Sequence, residues 1–152
     1  MSETKKDDLE RDTTSVVART GRTVTTTTRG IRVDVRSEFL PERSSAREGS
    51  YLFQYHVRIS NVGSETAQLI SREWIITNAD GEVERVKGPG VVGEQPVLPP
   101  GGSFDYTSYC PLKTSVGSMQ GAYQMVTDLG STFDVTIPEF SLDLPGAKRV
   151  VN

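Results

Sequence analysis

The sequence predicts an all-β domain, either a β-sandwich or a barrel, on three observations. Apolar and polar residues alternate at period two in several segments, which is typical of half-buried strands. Turn signals with Gly beside Asn or Asp separate these segments. No stretch carries a long apolar pattern at i, i+3, i+4 and i+7, so no amphipathic helix is expected. The 152 residues suffice for one domain with an ordinary core.

The ends of the chain differ from its middle. Residues 1–22 mix both charges with Ser and Thr and show no periodicity, so we expect a disordered tail. The sandwich is predicted to span residues 23–146, followed by a short C-terminal tail at residues 147–152. The stretch TVTTTTRG has two interpretations, an edge strand or a polar lead-in from the tail. We favour the edge strand, because Thr is enriched in strands.

Four segments alternate most clearly: SYLFQYHVRIS, FDYTSYCPL, MQGAYQM and FDVTI. QLISREWIITN is instead apolar on both faces around Trp74, which predicts a central strand. The apolar phase changes at Pro138, where a bulge or bend is expected because proline cannot donate to the ladder. The residues predicted to point inward are Tyr51, Phe53, Tyr55, Val57, Ile59, Phe104, Tyr106, Cys110, Leu112, Met119, Tyr123, Met125, Phe133, Val135, Ile137, Phe140, Leu142 and Leu144.

The composition argues against several classes of protein. The formal charge of −3 and the pI near 5.2 argue against a nucleic-acid binder, which would carry a clustered basic face. No apolar run approaches the roughly 18 residues that a membrane span needs, and the first residues lack the apolar core of a secretory signal. Cys110 is the only cysteine, and we interpret it as a small buried hydrophobe in a cytoplasmic protein.

Gly88, Gly90 and Gly93 spell G-x-G-x-x-G, a spacing found in dinucleotide-binding loops. Such a loop must open a helix whose N-terminus faces the pyrophosphate. The loop is instead followed by EQPVLPPGG, whose prolines no helix interior tolerates, and the acidic residue expected about 20 residues on is missing. A P-loop fails as well, because Glu94 and Gln95 stand where Lys and Ser or Thr are required.

Two interpretations of residues 88–93 remain. The preferred one is a bend between extended segments, in which Gly allows unusual φ and close backbone approach. The alternative is an anion-binding nest of backbone N–H groups at Gly88, Gly90 and Gly93, helped by Arg85 and Lys87.

The remaining candidate residues give little indication of catalysis or metal binding. His56 is predicted to point outward and Cys110 inward, so a nucleophilic pair is not expected. One Cys and one His cannot complete a zinc site, and NADGE fits an Asp-Gly hairpin better than a calcium loop. We therefore expect no catalytic residues, no cofactor and no metal ligands, although a weak magnesium site needs only one or two carboxylates and stays open.

The segments FQYHVRISNVGSETAQLISREWIITNADGEV, GPGVVGEQPVLPPGGSFDYTSYCPL and GSMQGAYQMV, with FDVTIPEF after them, resemble the ApaG family. The combination of GVVGEQP and MQGAYQM is specific, and the resemblance covers roughly residues 30–145. It implies an immunoglobulin/fibronectin-III-like β-sandwich of about seven to eight strands. It also implies a small cytoplasmic bacterial protein loosely associated with cobalt and magnesium resistance, and it brings no catalytic residues. Where the family usually has Arg-His-Trp, this chain has Glu73 between Arg72 and Trp74.

Similar domains in eukaryotes are appended to F-box and polymerase-interacting proteins as recognition modules. We therefore expect a non-enzymatic protein-interaction module with an unidentified protein partner, and edge strands that could also support a homodimer. The alternatives are a phosphate- or nucleotide-binding sensor that uses Gly88, Gly90 and Gly93, and direct binding of magnesium or cobalt.

Overall fold

The structure is a computed structural model that describes residues 22–144 of the chain. Apart from Arg22, the predicted tails at residues 1–22 and 147–152 lie outside the described residues, as do the last two residues of the predicted domain. Within residues 22–144 there are eight strands of five residues or more, a ninth of two residues, and one turn of 3₁₀ helix at Pro41–Arg43. The strands are β1 Val24–Thr28, β2 Ile31–Phe39, β3 Tyr51–Asn61, β4 Ala67–Asn78, β5 Val83–Pro89, β6 Val97–Leu98, β7 Ser103–Leu112, β8 Gly117–Thr127 and β9 Thr132–Leu142.

The strands form two antiparallel sheets that pack face to face. One sheet has the order β1-β2-β3-β7, and the other has the order β9-β8-β4-β5, with β6 pairing the start of β4. The predicted immunoglobulin/fibronectin-III-like sandwich is therefore confirmed. The Thr-rich stretch forms the predicted edge strand β1, and the Trp74 strand β4 is central, between β8 and β5.

The local predictions at turns and bulges are also confirmed. Ile137 pairs with Gly121 and Phe140 pairs with Met119, so three steps on β9 match two on β8, and one residue bulges beside Pro138. The Asp-Gly hairpin joins β4 to β5, with a backbone hydrogen bond of 3.0 Å from Asn78 N–H to the Glu82 carbonyl.

The core follows from the alternation. Trp74 is 3% exposed and makes edge-to-face contacts with Tyr55, Tyr123 and Phe140 at centroid distances of 5.3, 6.5 and 6.0 Å. Each such pair adds about 0.5–1.5 kcal/mol beyond the area buried. The aromatic cluster therefore holds the two sheets together at their centre.

The two long sides of the sandwich are built differently. On one side, the Thr26 hydroxyl donates to the Thr136 carbonyl at 2.7 Å, and the Thr136 N–H donates to the Thr28 hydroxyl at 3.3 Å. These bonds join the end strands β1 and β9 across the two sheets. On the other side lie the end strands β5 and β7, and a cleft opens between them.

A cleft beside a free sheet edge as the candidate binding site

The cleft between β5 and β7 has a volume of about 380 Å³. Its walls come from the inner faces of both sheets and from the loop after β5, so the sandwich topology alone assembles it. A pocket of this size falls within the range of small-ligand and side-chain sites. Among the lining residues are Arg72 and Trp74 from β4, Glu84 and Val86 from β5, Val92 and Gly93 from the loop, and Tyr106 and Cys110 from β7.

The loop at residues 88–93 forms a bend, as the preferred interpretation predicted. The Gly90 N–H donates to the Ile70 carbonyl at 2.8 Å, and Val91 and Glu94 exchange two backbone hydrogen bonds of 2.8 Å each. Val92 and Gly93 lie between them with φ of 42° and 81°, as a type I′ hairpin turn requires. The chain then enters β6, so both flanking segments are extended.

Of the three predicted site glycines, Gly93 lines the cleft, and Gly88 and Gly90 lie in the segment that leads to it. Each glycine is favoured for a different physical reason. A Cβ on Gly88 would lie 2.8 Å from Nη1 of Arg72. Gly90 has a φ of 60°, and a Cβ there would collide with the carbonyl oxygen of Glu94. Gly93 has a φ of 81° and open space around it, so only its backbone conformation favours glycine.

Several groups of the predicted anion-binding nest are already engaged in other interactions. The N–H groups of Gly90, Val91 and Glu94 are engaged in the hydrogen bonds of the turn itself. Arg85 is paired with Glu73 at 3.4 Å. The cation that reaches the loop is Arg72, which was not among the residues predicted to help the nest.

Arg72 contacts the loop through backbone acceptors. Its Nη1 donates to the carbonyl oxygens of Pro89 at 2.9 Å and Gly90 at 3.0 Å. Within residues 22–144, no carboxylate lies within the 4.0 Å ion-pair distance of this guanidinium. A guanidinium has five N–H donors, so Arg72 retains donors for a ligand in the cleft that it lines.

Val92 was not singled out in the sequence, and its backbone is unusual. A β-branched residue with φ of 42° is a conformational outlier, and Val92 is also 53% exposed. Such a conformation costs an L-residue about 1–2 kcal/mol. Strain of this kind often marks a binding site, and Val92 lies on the wall of the cleft.

The polar groups under the cleft stay neutral. Tyr106 and Tyr123 share a buried hydroxyl–hydroxyl hydrogen bond, and burial raises the pKa of both phenols. Cys110 is 2% exposed, as predicted, and burial together with the nearby Glu84 carboxylate raises the pKa of its thiol to about 12. The thiol is therefore protonated near pH 7 and a poor nucleophile.

His56 lies on the outer face of β3, again as predicted. Its Nδ1 lies 2.9 Å from the Thr107 hydroxyl, and its Nε2 lies 3.7 Å from a carboxylate oxygen of Glu38. Burial and the charge of Arg36 lower the pKa of His56, and Glu38 opposes them. Because Cys110 belongs to the core, the two groups are on opposite faces of the sheet. Among the described residues, no group of three or more His, Cys, Asp or Glu is placed to hold a metal ion.

The backbone of β5 presents a free edge beside the cleft. Backbone hydrogen bonds join Gly90 to Ile70 and Asn78 to Glu82, at the two ends of the pairing between β5 and β4. They determine which residues of β5 direct their backbone N–H and C=O groups towards β4. Because these directions alternate along a strand, Glu84, Val86 and Gly88 turn their N–H and C=O groups to β4, and the residues between them turn theirs away. The outward residues are Val83, Arg85, Lys87 and Pro89.

The facing end strand, β7, is blocked at one end. The Leu52 N–H donates to the Ser44 hydroxyl, and the Leu52 carbonyl accepts from the Leu40 N–H, so both groups point away from β7. The backbone of its partner Pro111 therefore faces the outer edge of β7, where proline has no N–H to donate. Proline at such a position prevents further strand pairing. β5 also has an outward proline at one end, Pro89, and keeps the outward N–H groups of Val83, Arg85 and Lys87. What distinguishes β5 from β7 is the Arg72 guanidinium, which reaches its edge beside the cleft.

Known proteins with similar sequences and structures fit this architecture. Residues 41–127 match the family model of the ApaG domain. The Protein ApaG of Beijerinckia indica is 53% identical over 127 residues, covering 84% of this chain and 98% of that protein. The Protein ApaG of Rhodospirillum centenum is 56% identical over 125 residues, covering 82% and 96%.

A crystal structure of a Bordetella pertussis protein provisionally named ApaA superimposes with a TM-score of 0.74 at 49% identity, covering 76% of this chain and 94% of that one. Within the described residues, no helix is long and apolar enough to cross a membrane. The family match spans more than half of the chain, and the relatives agree over most of their length. This chain belongs to the ApaG family.

Proposed function

We propose that the protein is a non-enzymatic, cytoplasmic interaction module that binds an extended segment of a partner protein along the free edge of β5. The observation that carries the proposal is the row of outward backbone groups at Val83, Arg85 and Lys87 beside a cleft of about 380 Å³. An added strand gains affinity from main-chain hydrogen bonds and specificity from pockets for alternate side chains. β5 and the cleft offer both.

The proposal that the module is non-enzymatic rests on where the reactive groups lie. The Cys110 thiol is buried with a pKa of about 12, and His56 is on the opposite, outer face of the same sheet. Nucleophilic catalysis requires such groups within hydrogen-bond reach of each other. A link to cobalt and magnesium resistance, which the family resemblance implies, would then act through the partner.

The experiment removes one outward N–H from the free edge. Arg85→Pro deletes that donor, whereas Arg85→Ala removes the same side chain and its ion pair with Glu73 but keeps the N–H. The folded full-length variants, checked by Trp74 fluorescence, are used with chemical crosslinking to capture partners from the native cytoplasm. We expect one set of proteins to be captured by the wild type and by Arg85→Ala and to be lost with Arg85→Pro.

Two outcomes would count against the proposal. Equal capture by Arg85→Pro and the wild type would show that the free edge is not the binding surface. Capture of this chain alone would make a second copy the occupant of the edge, as in a homodimer, and would leave no separate partner.

A phosphate- or nucleotide-binding sensor is the second candidate, and the Arg72 guanidinium beside the glycine loop favours it. ATP, diadenosine polyphosphates and pyrophosphate can be titrated while the amide resonances of Gly88, Gly90 and Gly93 are followed. Saturable shifts would support the sensor. An absence of shifts at millimolar ligand would exclude it, and calorimetry with magnesium and cobalt would test direct metal binding in the same way.

A further inference from the structure

We infer that the segment bound at β5 carries an acidic side chain that pairs with Arg72 and a large apolar side chain two residues away that enters the cleft. This inference rests on the proposed function and specifies the chemistry of the partner.

Gly88 allows Arg72 to reach the free edge. The two residues are directly paired between β4 and β5, and Arg72 Nη1, Cζ and Nη2 would lie 2.8, 3.1 and 3.1 Å from a Cβ on Gly88. The guanidinium therefore occupies the space that a side chain at Gly88 would fill. It also bonds to the Pro89 carbonyl, which belongs to an outward-facing residue of β5. An inward-pointing side chain of an added strand opposite Gly88 would thus meet a guanidinium.

The charge of Arg72 is uncompensated at close range. Within residues 22–144, no carboxylate approaches it to within ion-pair distance, and Glu73 is engaged by Arg85 on the outer face. Glu84 lines the same cleft but lies four residues along β5 from Gly88, about 13 Å at the rise of a strand. An acidic side chain of the partner would supply the missing charge and accept the remaining guanidinium N–H groups.

The next inward position along the edge is apolar. Val86 pairs with Trp74, and the buried side chains of Tyr106 and Cys110 on the inner face of β7 line the same cleft. Successive inward side chains of a strand are two residues apart. The residue two positions from the acid would therefore cover this surface. One inward position further lies Glu84, where a second acid would be repelled.

The outer face of β5 favours the same partner. Arg85 and Lys87 are exposed and point away from the cleft, and Glu73 offsets the charge of Arg85, so the outward side chains of the added strand would lie beside the cation of Lys87. The bound segment thus has an acid-x-apolar pattern on its inward side and gains from a further acid on its outward side.

The test selects binders from a phage-displayed library of random nonapeptides on the folded full-length chain. We expect the selected peptides to be enriched in Asp or Glu two residues from a large apolar residue. The acid enrichment should disappear on Arg72→Gln and on Gly88→Ala, which keeps the arginine but displaces its guanidinium. It should persist on the control Arg58→Gln, whose exposed side chain pairs with Asp105 on the other sheet. Replacing the acid of a selected peptide by its amide should weaken binding about tenfold.

The possible failures are distinguishable. Peptides that shift the amides of Val83, Arg85 and Lys87 but show equal acid enrichment on the wild type and on Arg72→Gln would overturn this inference and leave edge binding standing. Peptides that bind without shifting those amides, or a library that yields no binders, would overturn edge binding and this inference with it.

Discussion

Replacing each glycine of the motif by alanine should give three different losses of stability, because the three positions are constrained differently. At Gly90, alanine would have to adopt a φ of 60°, which costs an L-residue about 1–2 kcal/mol. Its Cβ would also collide with the Glu94 carbonyl, which accepts one of the two backbone bonds of the turn. Moving that carbonyl costs one or two hydrogen bonds, each about 0.5–1.5 kcal/mol.

Part of this loss is offset, because alanine restricts the unfolded chain more than glycine does, by about 0.4–1 kcal/mol. The free energy of unfolding should therefore fall by about 2–4 kcal/mol in Gly90→Ala. At Gly93 only the φ of 81° matters, so we expect a loss of about 1 kcal/mol. At Gly88 only the flexible end of Arg72 must move, and we expect less than about 0.5 kcal/mol.

The assay is urea unfolding followed by the fluorescence of Trp74, the only tryptophan of the chain, which is buried in the core. Equal m-values would confirm that the variants share the same unfolding reaction. Gly90→Ala and Gly93→Ala with the same stability, or Gly88→Ala as the least stable of the three, would refute the conformational explanation of the motif.

Three further predictions concern buried polar and titratable groups. Tyr123→Phe removes one partner of the buried hydroxyl pair and should lower the unfolding free energy by about 1–3 kcal/mol in urea titrations, while adding Tyr106→Phe should recover part of the loss. Burial and Arg36 lower the pKa of His56, so below its usual value of 6.5 the unfolded chain takes up a proton before the folded chain does. Stability should therefore fall as the pH is lowered from 7 towards the folded pKa, and His56→Gln should flatten this slope in thermal melts. The Cys110 thiol, with a pKa of about 12, should react with a thiol reagent at pH 8 only when the chain unfolds, and rapid labelling of the folded chain would contradict its burial.

Much of the fold could be predicted because its information is local. The period-two alternation specified the long strands, and the phase change at Pro138 located the bulge on β9. The Asp-Gly sequence specified the hairpin between β4 and β5. The prolines that follow Gly93 excluded a helix there, and the structure has a turn and β6 instead.

The candidate site could not be predicted in the same way, because it depends on which strands end the two sheets. Arg72 approaches the free edge because it pairs with Gly88 and because, among residues 22–144, no further strand pairs with β5 in its sheet. Neither fact has a signal in a short stretch of sequence. Val92 gave no signal either, since a type I′ turn usually carries Asn or Gly at that position.

Amide hydrogen exchange along β5, measured by NMR on the full-length chain with and without a selected nonapeptide, tests the free edge most directly. In the free chain the outward amides of Val83, Arg85 and Lys87 should exchange fast, and the amides of Glu84 and Val86, which face β4, should exchange slowly. Saturation with the peptide should protect the outward set. Outward amides that are already protected in the free chain, or that stay unprotected at saturation, would contradict β5 as the recognition edge.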